Sequence, residues 1–242
     1  MPKFLLILTL LFSTSFSGHG QKFYRFKADI SVKEKLGDGK YRLTMGKVYY
    51  DKIYQKIVYD INFPKIENIV IQDTSLFEIN NEGILLKQSK TMVLPEFTVF
   101  HLALTGKLSD YGLKESNKDR AIYKIGDIEK KEGGVVTTWT PAEEKLKTLF
   151  GDIKMMTKNR RLDVMVFYDK DGRLVSRQFF KKYVNVKGIE FPEEVTMISY
   201  AFDGTQNIQR TTYKNILIDQ NDEDEMYRYR IPITRAAPKR KQ

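Results

Sequence analysis

The chain has 242 residues with 41 Lys and Arg against 31 Asp and Glu, a formal charge of +10, and this length favours one domain over several. Hydrophobic residues make up 41% and charged residues 30%, and 15 Phe with 14 Tyr can supply a sizeable core, which excludes disorder as the main state. With no cysteine, disulfide scaffolds, Cys-ligated zinc, iron–sulfur clusters, thiol catalysis and acylation through cysteine are excluded together.

The first segment reads as an address. Met1 to Lys3 is short and basic, residues 4–12 are apolar except for Thr9, and residues 13–20 are small and polar. That is the three-part pattern of a secretory signal peptide. The apolar run covers only about half of a roughly 30 Å hydrocarbon layer, so it makes a poor permanent membrane helix. Cleavage after Gly20 or after Ser17 fits the small residues. Loss of residues 1–20 removes only one base, Lys3, so the mature chain stays basic and, without a cysteine, cannot be lipidated at its new end. The expected organisation is a signal peptide at 1–20, one domain at 21–234 and a basic, flexible tail at 235–242.

From Phe26 the apolar residues Phe26, Ala28, Ile30 and Val32 alternate with Lys27, Asp29, Ser31 and Lys33, the period of a half-buried strand. Gly37-Asp38-Gly39 makes a turn. Strands are expected at 41–50 and 53–63, the latter with Ile57, Tyr59, Ile61 and Phe63 facing one way, and Pro64 ends it. Further strands follow at 68–73, 75–80 and 84–89, the last two joined by Asn80-Asn81-Glu82-Gly83. A run of strands without an intervening helix implies an antiparallel meander.

The pattern changes at Pro95. Phe97, Phe100, Ala103, Leu104 and Leu108 recur at helical spacing, and Val99 and Leu102 widen the stripe. A helix over 95–108, apolar over most of its circumference, must be covered on more than one side; proline in its first turn and Gly106 near its end punctuate it. Strands return at 121–125, 135–140, 162–168, 174–186, 194–202, 207–217 and 226–231, with hairpin turns at Asp171-Gly172 and Asp203-Gly204. Thr140-Pro141-Ala142-Glu143 has the form of a capping box for a short helix at 141–150. The fold class is mainly β (α+β): one antiparallel sheet of roughly 11 strands, which at that length tends to curl around something that fills its concave side.

Little in the chain supports catalysis. Nucleophilic catalysis needs a base; the histidines are His19, inside the signal segment, and His101, the polar edge of the apolar helix, and no G-x-S-x-G elbow accompanies them. Asp169 and Asp171 resemble the start of a calcium loop, but its fifth and twelfth positions are Arg173 and Phe180. The acidic run Asp219, Asp222, Glu223, Asp224 and Glu225 reads as a solvated loop. No P-loop, dinucleotide fingerprint or histidine metal spacing appears, so neither a cofactor nor a metal is expected. Lys and Arg are spread over the strands and cluster only in the tail at Arg235, Lys239, Arg240 and Lys241, which does not favour a nucleic-acid partner.

Three stretches together resemble the periplasmic lipoprotein carriers and the wider outer-membrane lipoprotein-sorting, LolA-like family. They are Phe63-Pro64 leading into the strand at Ile69 and the turn to Leu76; the apolar helix running on into Leu108-Ser109-Asp110-Tyr111-Gly112; and the closing hairpins from Val164 through Gly188, Phe191-Pro192 and Tyr213-Lys214-Asn215 to Met226-Tyr227-Arg228-Tyr229-Arg230-Ile231-Pro232. The chain departs from the carriers in starting with a strand rather than an amphipathic helix. It also has Tyr50-Asp51-Lys52 where they carry an early-strand arginine. The resemblance implies an unclosed β-barrel wrapped around helices with an apolar cavity beneath them.

It also implies a periplasmic, non-enzymatic, monomeric carrier that shelters acyl chains of a lipoprotein or a related lipid on the way to the outer membrane, passing between donor and acceptor proteins. The cavity is expected to be lined by Ile57, Tyr59, Ile61, Phe63, Met92, Phe97, Phe100 and Leu104, with Met45, Met92, Met165 and Met197 as adaptable side chains. The alternative is an envelope binding or sensing module of the same fold that engages a protein partner through exposed Tyr49, Tyr50 and Tyr54.

Overall fold

In the computed structural model, which describes residues 22–91, 93–114, 121–131 and 133–233, the alternating stretch that starts at Phe26 becomes a central strand of the sheet, β1 (Arg25–Lys35). Its even positions Phe26, Ala28 and Ile30 are buried in the main apolar cluster. The chain winds outward from it through β2 (Tyr41–Asp51), β3 (Lys56–Phe63), β4 (Glu67–Gln72), β5 (Ser75–Asn80) and β6 (Leu85–Lys90), one sheet edge. A connection carrying the short helix α1 (Val99–Leu104) crosses to the opposite edge. From there β7 (Tyr123–Lys131), β8 (Gly134–Pro141), β9 (Ile153–Lys158), β10 (Arg161–Tyr168), β11 (Leu174–Val186), β12 (Ile189–Tyr200) and β13 (Gln206–Ile218) wind back, and β13 pairs with β1, Phe26 against Ile218. The result is a 13-stranded antiparallel sheet whose edges β6 and β7 do not pair, so it stays unclosed.

One glycine is a steric requirement of this sheet. At Gly46 on β2 a Cβ would stand 2.1 Å from the Asp60 carbonyl oxygen, and the β2–β3 register shifts between Met45 and Gly46. A larger residue there would push β3 off its partner.

Several expected elements differ. The helix over 95–108 is three short pieces: a 3-10 turn at Pro95–Phe97, the six residues of α1, and a 3-10 turn at Leu108–Asp110. Thr98 is extended and interrupts it, and Gly106, with φ of +70, ends α1 by a pair of reverse hydrogen bonds, Gly106 N–H to the Ala103 carbonyl and Lys107 N–H to the Leu102 carbonyl. The helix at 141–150 shrinks to one turn, α2 (Glu144–Lys147), without a side-chain cap. A strand not anticipated, β9, pairs with β8 and β10. The expected strand at 53–63 begins at Lys56, since residues 52–55 form the turn after β2 and leave Ile53 exposed.

The expected strand at 226–231 is absent. In its place α3 (Asp224–Tyr227) and the coil after it lie across the outer face of the sheet. Tyr227 and its neighbours Met226, Tyr229 and Ile231 cover Tyr49, Val58, Val70, Ile79 and Leu85 there, a second apolar cluster separate from the inner one. No helix among the described residues is long and apolar enough to cross a membrane.

Candidate functional site

The inner face, the one crossed by α1, decides what the fold can hold. Directly under α1 the space is filled. Phe100 packs on Phe26 and Tyr50 with ring centroids 5.4 Å away in each case, Phe26 packs on Phe191 at 4.7 Å, and Tyr213 meets Phe191 edge-on at 5.3 Å. Offset and edge-on pairs of this kind are the preferred aromatic geometries. Burial pushes the Tyr213 and Tyr50 hydroxyls well above the ordinary tyrosine value, so both stay protonated. The Tyr50 hydroxyl reaches Nδ1 of His101 at 2.5 Å, tying β2 to α1. Burial is also the main reason that His101 titrates below its ordinary value of 6.5, with the charges of Lys52 and Lys107 acting in the same direction and Glu96 against them. In the neutral tautomer that carries its hydrogen on Nε2, Nδ1 accepts a hydrogen bond from the Tyr50 hydroxyl.

Hollows flank this plug on both sides. The smaller, about 170 Å³, lies toward Phe97 and is lined by Tyr59, Phe97, Phe100, Met197 and Tyr213 with Gln178 and Gln209. It is the size of a void that takes one aromatic ring. The larger, about 1010 Å³, opens at the other end of α1, at the upper end of the range for small-molecule sites. Antiparallel pairing brings distant segments to this end of the sheet: Phe23 just before β1, the starts of β10 and β12 at Leu162 and Ile189, and the C-terminal half of the crossing with Ala103, Leu104 and Leu108. These six form an apolar floor, all nine-tenths or more buried. Its rim is charged, carrying Lys22, Lys52, Arg160, Arg161 and Glu190. Tyr183 forms one wall and donates its hydroxyl to the Leu162 carbonyl at 2.7 Å.

The outer face carries the densest charge pairing. Arg25 donates to Asp51 through Nε at 3.1 Å and to Asp224 at 2.5 Å, and its guanidinium lies 4.6 Å from the centre of the Tyr227 ring. Lys27, only 8% exposed, holds Asp222 at 2.5 Å and Glu223 at 2.6 Å. Burial pulls the Lys27 ammonium down, and the two carboxylates outweigh it, leaving its pKa raised. Asp219 accepts the backbone N–H groups of Tyr24 and Arg25. The acidic run at 219–225, expected as a solvated loop, is thus the clip that fastens the C-terminal segment to β1. The described residues hold no cluster of potential metal ligands.

The structure divides the expected cavity residues. Ile57 and Ile61 are packed into the inner core. Tyr59, Phe97 and Phe100 meet at the smaller hollow, although Phe97 is 52% exposed, and Leu104 belongs to the larger cleft. Phe63 is 47% exposed at the end of β3, and Met92 lies outside the described residues, as do the signal segment and the basic tail. Of the expected adaptable methionines, Met165 is fully buried and Met197 lines the smaller hollow. Tyr49 and Tyr50, expected as an exposed surface for a partner, are buried on opposite faces, and only Tyr54 is exposed. Sequence reading missed Phe23, Leu162 and Ile189, whose meeting depends on the strand order.

No family model and no curated protein matches the sequence. The fold, by contrast, has solved counterparts. A LolA superfamily protein from Nitrosomonas europaea superposes with a TM-score of 0.53 over 85% of this chain and 91% of its own, at 13% identity. A DUF1329 family protein from Desulfovibrio piger gives 0.57 over 86% and 90% at 14% identity. A domain described as an outer-membrane lipoprotein-sorting protein, from Vibrio parahaemolyticus, gives 0.55 over 85% and 90% at 10% identity. The chain therefore has the LolA-like fold, an unclosed antiparallel half-barrel with helical turns across its inner face.

Proposed function

We propose that this protein is an exported, periplasmic, non-enzymatic carrier that shelters acyl chains of a lipoprotein or related lipid for transfer toward the outer membrane. The observation that carries the reading is the cleft of about 1010 Å³ floored by Phe23, Ala103, Leu104, Leu108, Leu162 and Ile189. A chain of about 16 carbons costs on the order of 12 kcal/mol to expose to water, and an apolar floor that receives even part of it lowers that penalty. The shared architecture of the lipoprotein-sorting domain from Vibrio parahaemolyticus supports the same class of function. The smaller hollow beside Phe97 and Phe100 is the route by which a longer chain extends under α1 once the aromatic plug yields.

Mass spectrometry of the gently purified protein tests this. Co-purified lipid is expected in the wild type, and Ser109→Trp, which plugs the mouth from an exposed position on its wall, should lower the retained lipid about tenfold without unfolding the chain. A lipid-free protein that also fails to take up added amphiphiles overturns the reading. Phe100→Asp is the blunter probe, because an unpaired carboxylate in the aromatic plug destabilises the fold itself.

A further inference from the structure

We infer that the cleft, on the carrier reading above, is built for an amphiphile with an anionic head, a phosphate or a carboxylate, seated at the rim between Lys52 and Arg160 with its chain on the floor of Leu104, Leu108 and Leu162. The first observation is the sign of the rim. Its charged side chains are four cations, Lys22, Lys52, Arg160 and Arg161, and one carboxylate, Glu190. Glu190 is already taken, by Arg161 at 2.7 Å and by the Asn185 amide at 3.2 Å. Among the described residues no carboxylate forms an ion pair with Lys22, Lys52 or Arg160. On the outer face, by contrast, the half-buried Arg25 and the buried Lys27 each hold two carboxylates.

The state of Lys52 points the same way. Its ammonium rests 4.7 Å from the centre of the Tyr24 ring and forms no ion pair among the described residues; burial pulls its pKa below the ordinary lysine value, with Lys22 acting in the same direction and the charge of Asp219 against them. A partly desolvated cation beside an apolar floor gains more from an arriving anion than a fully hydrated one does, because the local dielectric is low.

Arg160 adds a third, independent observation. Asn159 and Arg160 form the two-residue turn between β9 and β10, and both have positive φ, 50° and 63°. Turns of this kind favour Asn followed by Gly, since glycine alone enters the left-handed region without a steric penalty. An arginine there works against the local backbone preference, and the residue borders the cleft from an exposed position, within reach of a phosphate or carboxylate that a guanidinium can meet through two donors at once.

Equilibrium binding of the full chain to hexadecyl phosphate, hexadecanoate and the uncharged monohexadecanoylglycerol tests this. The two anions should bind about tenfold more tightly than the neutral glyceride at low salt, and the advantage should shrink as salt is added. Arg160→Gly, which relieves the turn and so keeps the fold, and Lys52→Gln should each remove most of that advantage, read as the ratio of anion to glyceride affinity for the same variant. If phosphate alone is preferred, the head is a phosphate; if both anions are preferred equally, charge suffices, and either result supports the inference. Equal binding of anions and glyceride overturns the anionic head while the carrier reading stands. An anion preference that survives both variants overturns the assignment to this rim, and failure of all three amphiphiles to bind overturns the inference together with the carrier reading.

Discussion

Tyr49 and Tyr50, neighbours on β2, lose nearly all their exposure on opposite faces of the sheet, and the covers they meet differ in kind. Tyr50 faces inward to Phe100 and His101 of α1, in a contact made of ring packing and one hydrogen bond. Tyr49 faces outward and meets Tyr227 edge-on at 5.5 Å, inside a frame of ion pairs from Arg25 and Lys27 to the acidic clip. Apolar packing is non-directional, so the inner cover can shift and still bury area. Charge pairs with buried members fix one register, because any other leaves a charge unpartnered. The hollows described above lie along the inner cover, while the outer cover acts as a clamp that fixes the C-terminal segment in one register across β2 to β6.

Breaking the clamp should give the largest effect. Tyr227→Ala removes a side chain 1% exposed and should destabilise the protein by about 3–5 kcal/mol in urea unfolding, the range for large aromatics in cores. Amphiphile binding by the folded fraction should be unchanged; a loss of binding would mean the two covers are coupled and the comparison fails. Arg25→Met comes next. It leaves the Asp51 carboxylate buried with only the amides of Ile53 and Tyr54 for partners, and removing one member of a buried pair costs about 3 kcal/mol or more. On the inner face Tyr50→Phe deletes a single hydrogen bond to His101 and should cost about 1 kcal/mol. Equal losses for Arg25→Met and Tyr50→Phe would erase the distinction between clamp and movable cover.

The same two faces show why the sequence was readable in one respect and opaque in another. β1 and the hairpins at Asp171-Gly172 and Asp203-Gly204 were legible because alternation and turn chemistry are local. The stretch at 226–231 also alternates as expected, with Tyr227 buried and Tyr229 and Ile231 packed on the cluster while Arg228 and Arg230 are exposed. That period is the same whether an extended segment pairs at a sheet edge or lies on a sheet face, and periodicity alone cannot tell them apart. The crossing at 95–110 is apolar over most of its circumference because Phe100, Leu102, Ala103, Leu104 and Leu108 are all buried, and the breaks at Thr98 and Gly106 that split it are single residues. Of the cleft floor Leu104 stood in the legible apolar stripe, whereas Phe23, Leu162 and Ile189 join it only through a strand order that places the first and last strands side by side.

Acidification offers the finest separation of the two covers. His101 is held below its ordinary 6.5 mainly by burial, so the fold favours the neutral ring. Its contribution is complete above 6.5 and declines as pH falls below that value toward the depressed one, because the unfolded chain takes up the proton first. Asp222 and Glu223 are held below their ordinary 3.8 and 4.5 by hydrogen bonds from Lys27. Their contribution survives to those values and is lost only as pH falls through and below them. Hydrogen exchange, corrected for intrinsic rates, should therefore show the amides of α1 loosening as pH drops below 6.5 while the Tyr24 and Arg25 amides at the start of the clip hold until Asp222 and Glu223 titrate. Trp139, the single tryptophan and a member of the inner cluster, gives a fluorescence report on the same side. Loss of protection on both faces over one pH range would show that α1 and the clip open together, and the inner cover would then be no more movable than the outer.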